Sequence, residues 1–304
     1  HASAVTEGKT FAGTGSLVHA GSGVTLLTAA NTYSGATTIS GGTLRVNGSL
    51  AAASAVTVLP AGRLGGSGVV SGTVALAGQV APGASVGTLT TGSETWEGGA
   101  SYQFEVSDVA GTFGAHPGWD RLQVEGDLTF NATPGSPFLI DVRTVNGAGL
   151  SAPVIGLSAD SAYTMKFARV TGTLSGFDSA AFTVSVQNAI GLFTLTNGYV
   201  QQTGGDLELV LQSGGQTAPL IWDPSSLEGG AQDGDGNWSL IATNWWTGTQ
   251  DVPWPAVAAS AQIGAGTNPV GGSYSVTVDA AVVQAYSILF PTGSTYTVAG
   301  TGRL

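Results

Sequence analysis

The sequence predicts an all-β protein built as a β-solenoid, in which short strands coil so that each turn stacks on the previous one. Glycine accounts for 48 of the 304 residues, about twice its usual share, and charged residues for only 9%, against about 25% in typical domains. Short runs rich in Thr, Val and Leu lie between the glycines, and no helical period persists along the chain. Such runs favour strands, and glycine favours the corners that join them.

The repeating theme is clearest at residues 31–46, where two short apolar runs flank a Gly-Gly pair. Related runs follow at 55–58, 62–64, 72–76 and 87–89. A short strand with one apolar face cannot bury that face alone, so turns of roughly 20 residues are expected to stack into a continuous core. The ladder positions expected to face this core include Ile39, Val46, Val58 and Val74.

A polar break at residues 213–219 divides the chain into two predicted domains. Residues 1–215 carry the repeat and are predicted to form the solenoid, with loop insertions at 111–118 and 147–156. Residues 216–304 are predicted to form a second β module that continues or restarts the solenoid. This module holds five of the seven tryptophans: Trp222, Trp238, Trp245, Trp246 and Trp254.

The end of the first domain is predicted from local signals. An alternating run at residues 206–211 is expected to be its last strand. Asn146-Gly147 and Asn197-Gly198 are dipeptides typical of hairpin turns, so turns are expected at both places.

Charge and composition exclude several classes of function. The net charge is −11, from 8 basic and 19 acidic residues, and the basic residues are too scattered to follow a phosphate backbone, so no nucleic-acid partner is expected. The absence of cysteine rules out disulfides, thiol nucleophiles and cysteine-ligated metals. No apolar run reaches about 18 residues, so no membrane span is expected. The N-terminus HASAV does not read as a signal peptide, and the leader of a secreted protein would have been removed or lie upstream.

Several segments carry a family resemblance. Residues 17–26, 31–39 and 41–44 closely resemble the autotransporter-associated β-strand repeat, and residues 80–89 and 119–126 are similar to the downstream part of the same passenger pattern. The resemblance implies a right-handed parallel β-helix, exported and displayed on a bacterial outer surface. Members are mostly stalks, adhesins and aggregation factors. The translocator domain of the family has no match in these 304 residues, so we expect it beyond Leu304 or replaced by another route of release or anchoring.

Catalysis has little support in the sequence, and we expect no enzyme. A nucleophilic Ser needs a base held beside it, but the only histidines are His1, His19 and His116. No nucleophile-elbow pentapeptide stands before a helix. No catalytic residue is therefore assigned.

Paired carboxylates are the second catalytic candidate, because glycosidases place two acids about 5 to 10 Å apart across a cleft. The pairs to consider are Glu94 with Glu97, and Asp120 with Glu125 and Asp127. Asp120 and Asp127 also occupy turn-like positions, where each would cap backbone amides. This structural interpretation is the favoured one.

Asp233, Asp235 and Asn237 alternate oxygen ligands as a calcium loop does, and they form a weak candidate Ca²⁺ site. An EF-hand requires Gly at the sixth position and Glu at the twelfth, where this chain has Trp238 and Asn244. A turn explains the segment as well, and no other cofactor is expected.

The tryptophan cluster has two interpretations. Its rings could stack on sugars, or they could fill a core where the solenoid changes cross-section. The core is the favoured interpretation. The residues concerned are Trp238, Trp245, Trp246 and Trp254.

These features predict a non-enzymatic, structural segment of an extracellular or cell-surface β-helical fibre, acting as a stalk, an adhesin or a filament subunit. Open solenoid ends expose rows of backbone N–H and C=O groups, so we expect end-to-end self-association by strand pairing. Surface glycans or other cells are further expected partners. The alternative is a carbohydrate-binding or polysaccharide-degrading β-helix module, which rests on analogy of fold.

Overall fold

A computed structural model of the chain describes residues 4–157, 161–187, 194–214, 220–224, 234–246, 251–254, 259–264, 272–278, 285–290 and 295–300. The chain divides into two compact units. The first comprises His1–Val154, Ala162–Ala189 and Thr196–Gln212, and the second Ile155–Ser161, Ile190–Leu195 and Ser213–Leu304.

The strands that precede residue 215 are β1 (Ala4–Glu7), β2 (Leu17–His19), β3 (Val24–Leu27), β4 (Ala30–Asn31), β5 (Thr37–Ile39), β6 (Gly42–Val46), β7 (Ser49–Leu50), β8 (Val56–Val58), β9 (Gly62–Gly66), β10 (Val69–Val70), β11 (Val74–Leu76), β12 (Gln79–Pro82), β13 (Thr88–Thr91), β14 (Glu94–Trp96), β15 (Ser101–Val106), β16 (Thr112–Phe113), β17 (Gly118–Trp119), β18 (Arg121–Val124), β19 (Leu128–Phe130), β20 (Phe138–Thr144), β21 (Ala162–Val170), β22 (Leu174–Ser175), β23 (Phe182–Gln187), β24 (Thr194–Thr203) and β25 (Asp206–Gly214). A single 3-10 turn, Ser179–Ala181, is the only helix among the described residues. No described helix is therefore long and apolar enough to cross a membrane.

These strands form three sheets that the chain visits in a fixed order. Sheet A contains β1-β3-β6-β9-β12-β15-β20-β23, sheet B contains β2-β5-β8-β11-β14-β19-β22, and sheet C contains β4-β7-β10-β13-β18-β21-β25-β24. From β4 onwards the chain passes through C, B and A six times before it reaches β24. Successive turns pair in parallel, so the predicted parallel β-helix is confirmed.

The turn length agrees with the prediction in the first part of the β-helix. Thr43 pairs with Arg63, twenty residues later, and Gln79 pairs with Ser101, twenty-two residues later. Later turns are longer, because loops are inserted between their strands. Leu122 pairs with Ala168 forty-six residues later, for example.

The core consists of ladders of inward side chains. One ladder in sheet B runs through Ile39, Val58, Leu76 and Trp96. The four predicted core positions, Ile39, Val46, Val58 and Val74, are all buried. Burying a Val, Leu or Ile side chain is worth roughly 1.5 to 3 kcal/mol, so the ladders supply the main favourable term in folding.

The β-helix ends in an antiparallel hairpin. Strands β24 and β25 are neighbours separated by two residues, and β25 pairs antiparallel with β21. Gly204 occupies the turn with a φ of +62°. The buried side chains of the hairpin include Val200, Leu207, Leu209 and Leu211. The predicted last strand at residues 206–211 is therefore confirmed, although it runs antiparallel to its neighbour.

One turn prediction is confirmed and one is wrong. Asn146 does begin a turn, where its side-chain Oδ1 accepts hydrogen bonds from the N–H groups of Ala148 and Leu150. Asn197-Gly198 lies inside β24 instead. Gly198 packs so closely on Val184 and Leu211 that an added Cβ would collide with both side chains.

The second unit has strands and a core of its own. Its strands are β26 (Leu220–Trp222), β27 (Gly236–Trp238), β28 (Trp245–Trp246), β29 (Asp251–Val252), β30 (Ala259–Gln262), β31 (Ser273–Val278), β32 (Ala285–Leu289) and β33 (Thr295–Gly300). One sheet has the order β29-β28-β26-β30-β32 and the other β27-β31-β33. The pairs β26–β30, β30–β32, β27–β31 and β31–β33 are parallel, which is the pattern of stacked turns.

Candidate functional site

The repeat at residues 17–46 is held by buried polar side chains. The Oδ1 of Asn31 accepts a hydrogen bond from Phe11 N at 2.9 Å, and its Nδ2 donates to Ala29 O at 3.0 Å. The Tyr33 hydroxyl shares a hydrogen bond of 2.6 Å with Thr37 Oγ1. These side chains are buried, and their polar atoms bind the chain itself, so they fix the shape of the turn.

Glycines in this repeat stand where the backbones of successive turns touch. A Cβ on Gly35 would collide with the carbonyl oxygen of Gly15, and one on Gly42 would collide with that of Gly21. Gly42 also has a φ of +60°, which side chains rarely adopt. Glycine is therefore required at positions 35 and 42 by the stacking of turns.

The histidines make no catalytic arrangement in the described part of the chain. His19 lies near Gly23 O and Thr25 Oγ1, both at 3.3 Å. His116 Nδ1 lies 3.0 Å from Ser107 Oγ, which is the spacing of a nucleophile and its base. Ser107 is buried, however, and its Oγ also donates to Gly118 O and accepts from Gly118 N. This contact holds the insertion that contains β16 and β17. His1 lies outside the described residues.

Asp120 caps backbone amides, as the favoured interpretation predicted. It is fully buried, with Oδ1 accepting from Gly87 N at 2.8 Å and Oδ2 from Glu105 N at 2.9 Å. Burial, and then the charge of Glu105, raise the pKa of Asp120 well above its usual value. With both oxygens bound to backbone, Asp120 joins the insertion to strands β13 and β15.

Glu125 and Asp127, the predicted partners of Asp120, do not form a carboxylate pair with it. Asp127 is exposed, and its Oδ1 accepts from Thr173 N at 2.7 Å. Glu125 is exposed on the surface. Glu97 accepts a hydrogen bond from the Asn131 side chain at 3.0 Å, whereas Glu94 points into the core. Neither predicted pair faces a cleft as a glycosidase pair would.

Glu94 is an unusual acid in a second inward ladder of sheet B. It lies between Val74 and Leu128 in register, and its Oε2 accepts from Trp96 Nε1 at 2.5 Å. Burial raises the pKa of Glu94 to about 7, against the hydrogen bonds that lower it. Glu94 is therefore a core residue whose carboxyl group titrates near neutral pH.

A charged patch on the outer face of sheet A was missed by sequence reasoning. Glu105 accepts from Gln103 Nε2 at 2.7 Å, and burial raises the pKa of Glu105 while Arg63 lowers it. Asp141 binds Arg143 at 2.8 Å. The alternation of β15 does place Gln103 and Glu105 opposite the inward Phe104, but their burial depends on distant segments and has no local signal.

The tryptophans of the second unit pack as a core. Trp222, Trp238, Trp245 and Trp254 are all buried, with ring centroids 4.6 to 5.2 Å apart. The aliphatic side chains around them include Leu220, Ile263, Val276 and Val278. Trp246 is half-buried on β28. Buried rings offer no face to a sugar, so the packing supports the core interpretation of Trp238, Trp245 and Trp254.

The candidate calcium loop is only partly described. Asp233 lies outside the described residues. Asp235 Oδ1 accepts from Ser275 N at 2.6 Å, and Asn237 is exposed. The described residues contain no group of three or more acidic or histidine side chains arranged to hold a metal ion. The Ca²⁺ site stays a prediction.

Comparison with known protein families supports the resemblance. Residues 17–46 match the family described as the passenger-associated-transport-repeat, and a comparison with curated proteins gave no match. The matched residues coincide with the turns fixed by Asn31, Tyr33 and the close glycines. A repeat of this kind marks a secreted or cell-surface protein. Residues 17–46 are therefore similar to a passenger-associated transport repeat, in agreement with the autotransporter-type resemblance of the sequence.

Proposed function

We propose that this chain is a non-enzymatic structural segment of a surface fibre, acting as a stalk or as a subunit that associates end to end. The observation that carries the proposal is the match at residues 17–46, in a β-helix whose buried polar groups serve the fold. Asn31, Tyr33 and Asp120 all bind the chain itself. A segment of this kind supplies length and rigidity to a fibre.

End-to-end association is supported by open strands at the first turns of the β-helix. Strands β1 and β2 are the outer members of their sheets, so among the described residues each has one edge of backbone groups open for pairing. Beside them lies a surface cavity of about 390 Å³, lined by residues that include Phe11, Leu17, Val18 and Tyr33. Val18 is 65% exposed. A cavity with apolar lining residues beside open parallel edges favours the addition of a turn from another copy of the chain.

Among the described residues, the second unit also has open parallel edges. Strands β32 and β33 are the outer members of its two sheets, and Leu289 and Phe290 are exposed at the end of β32. A contact between such edges and the β1 and β2 edges of the next copy would be head to tail. Head-to-tail contacts that do not close into a ring produce filaments.

Electron microscopy and sedimentation of the purified chain test the filament. We expect fibres or a concentration-dependent series of oligomers. Val18→Lys places a charge beside the open edge of β2, and edge charges block strand pairing, so this variant should shift the population to monomers. Ile241→Lys, at a residue that is 88% exposed in the second unit, is the matched control and should assemble like the wild type. Monodisperse monomers at every concentration would reject the filament.

Surface display is tested separately. Intact bacteria that produce the parent protein should lose this segment on treatment with external protease, and antibodies against residues 17–46 should label them. Protection of the segment until the cells are lysed would contradict a surface location.

A further inference from the structure

We propose that a groove between strand β24 and the 3-10 turn is a binding site for a short, neutral glycan. The groove has a volume of about 440 Å³, within the range of roughly 300 to 1,000 Å³ typical of small-ligand sites. Its lining residues are Phe177, Ser179, Tyr199, Val200, Gln201, Gln202 and Gly204. All of them belong to the first unit, and the site does not depend on fibre assembly.

The two aromatic rings of the groove differ in exposure and in packing. Tyr199 is 55% exposed, more than any other aromatic side chain in the described part of the chain. Phe177 is anchored, because its ring packs 5.8 Å from Phe130 and 5.6 Å from Phe182. The groove thus has one fixed apolar wall and one ring that a ligand could cover. An aromatic ring with a polar tip is the usual contact for a ligand that is apolar on one face and wet on the other.

The remaining lining groups are hydrogen-bonding amides and a hydroxyl. Gln202 Nε2 donates to Gly204 O at 3.2 Å, and Gln201 Nε2 donates to Glu208 Oε2 at 2.8 Å. Each contact orients an amide whose carbonyl oxygen can still accept a bond from a ligand. Ser179 adds a hydroxyl to the lining. A few oriented polar groups beside aromatic rings are what specific small-molecule sites contain.

The charges around the groove select a neutral ligand. Among the described residues that line the groove, Tyr199 is the only ionisable one, and none carries a positive charge to balance an acidic group. The nearby carboxylate of Glu208 is bound by Gln201 and Thr203, and that of Asp178 by Ala180 N. The whole chain carries a net charge of −11, which repels acidic ligands further.

A sugar fits this chemistry better than an added peptide strand. The C–H face of a pyranose can stack on the Tyr199 ring while its hydroxyls bond the glutamine amides. Strand addition draws its affinity from a row of main-chain hydrogen bonds, but only residues 199–202 of β24 line the groove. The lined stretch matches a short glycan in length.

The test is an array of neutral and acidic oligosaccharides probed with the purified chain, followed by calorimetric titration of the best neutral glycan. We expect neutral glycans to bind. Tyr199→Ala should weaken binding about tenfold, whereas Tyr199→Phe keeps the ring and should stay within about threefold of the wild type. Gln202→Ala should weaken binding by about threefold to tenfold. Phe290→Ala removes another exposed ring, outside the groove, and should bind like the wild type.

Several outcomes would overturn the proposal. They are an array with no neutral ligand at millimolar concentration, an affinity unchanged by Tyr199→Ala, a preference for acidic glycans, and displacement of the glycan by a strand-forming peptide. Circular dichroism and urea unfolding of each variant must match the wild type, and the exposure of Tyr199 makes this the expected result. If Tyr199→Ala lost both binding and structure, Gln202→Ala would decide whether the groove binds the glycan.

Discussion

Replacing Glu94 by Gln should stabilise the β-helix at neutral and alkaline pH. Glu94 is only 3% exposed and lies in a ladder whose adjacent members are Val74 and Leu128. Its neighbour Trp96 donates one hydrogen bond to it and stacks on Phe138 with ring centroids 4.3 Å apart. An ionised carboxylate in this apolar interior loses most of its hydration, and glutamine keeps the acceptor for Trp96 without the charge.

The size of the effect follows from the pKa. Burial raises the pKa of Glu94 from 4.5 to about 7, and each pKa unit corresponds to about 1.36 kcal/mol. Below pH 4.5 the group is protonated in both states, and the free energy of unfolding is highest. Between pH 4.5 and 7 the unfolded chain ionises while the folded chain keeps its proton, so stability falls. Above pH 7 the loss is complete, at about 3 kcal/mol.

Urea unfolding followed by far-UV circular dichroism at pH 4, 6 and 8 measures this effect. The difference between Glu94→Gln and wild type should be small at pH 4 and should grow to about 3 kcal/mol in favour of the variant at pH 8. Taking the difference removes the contributions of Glu105 and Asp120, whose pKa values burial also raises. Glu125→Gln, at an exposed position, should follow the wild type at every pH. A Glu94→Gln curve parallel to the wild-type curve would refute the reasoning.

Four further substitutions and one control test the packing, each by urea unfolding. Gly42→Ala should lower the free energy of unfolding by about 2 to 4 kcal/mol, because Gly42 has a φ of +60° and lies against the Gly21 carbonyl. The control Gly21→Ala should change it by less than about 0.5 kcal/mol, because an added Cβ there meets open space. Tyr33→Phe should cost about 1 kcal/mol, for the lost bond to Thr37. Asp120→Asn turns an amide N–H₂ towards a backbone N–H and should cost about 1 to 3 kcal/mol. Trp245→Ala should cost about 3 to 5 kcal/mol, with the loss of near-UV signal from the second unit. If Gly42→Ala left the stability unchanged, that result would contradict the stacking of turns. An unchanged stability in Trp245→Ala would contradict the tryptophan core.

The stacked turns were predictable because their signals are local. Alternation places Ile39 and Val58 inward, and glycine appears where turns touch, as at Gly35 and Gly42. Each signal lies within a few residues of the strand it specifies, and the same signal returns in each turn. Repetition therefore allowed the period, the core positions and the last strand to be read from one chain.

The misses depend on contacts between distant residues. Asn197-Gly198 has the form of a hairpin turn, but close packing of Gly198 on Val184 and Leu211 keeps it inside a strand. Glu94 and Glu105 are acids, and acids are normally exposed. Their burial arises from the ladder and from segments far away in sequence, which no local pattern indicates. The groove beside Tyr199 likewise joins two segments separated by about twenty residues.

The regular turns and the terminal hairpin differ in how well a ligand could bind to them. Within the regular turns, strands pair on both sides, and polar side chains such as Asn31 and Thr37 form hydrogen bonds within their own turn or with the next one. A turn with both neighbours in place therefore has little spare hydrogen-bonding capacity. The hairpin of β24 and β25 breaks this rule, because β24 is an outer strand and Tyr199 stands exposed on it. Binding chemistry is thus expected where the repeat is interrupted, while the repeat itself supplies length and rigidity.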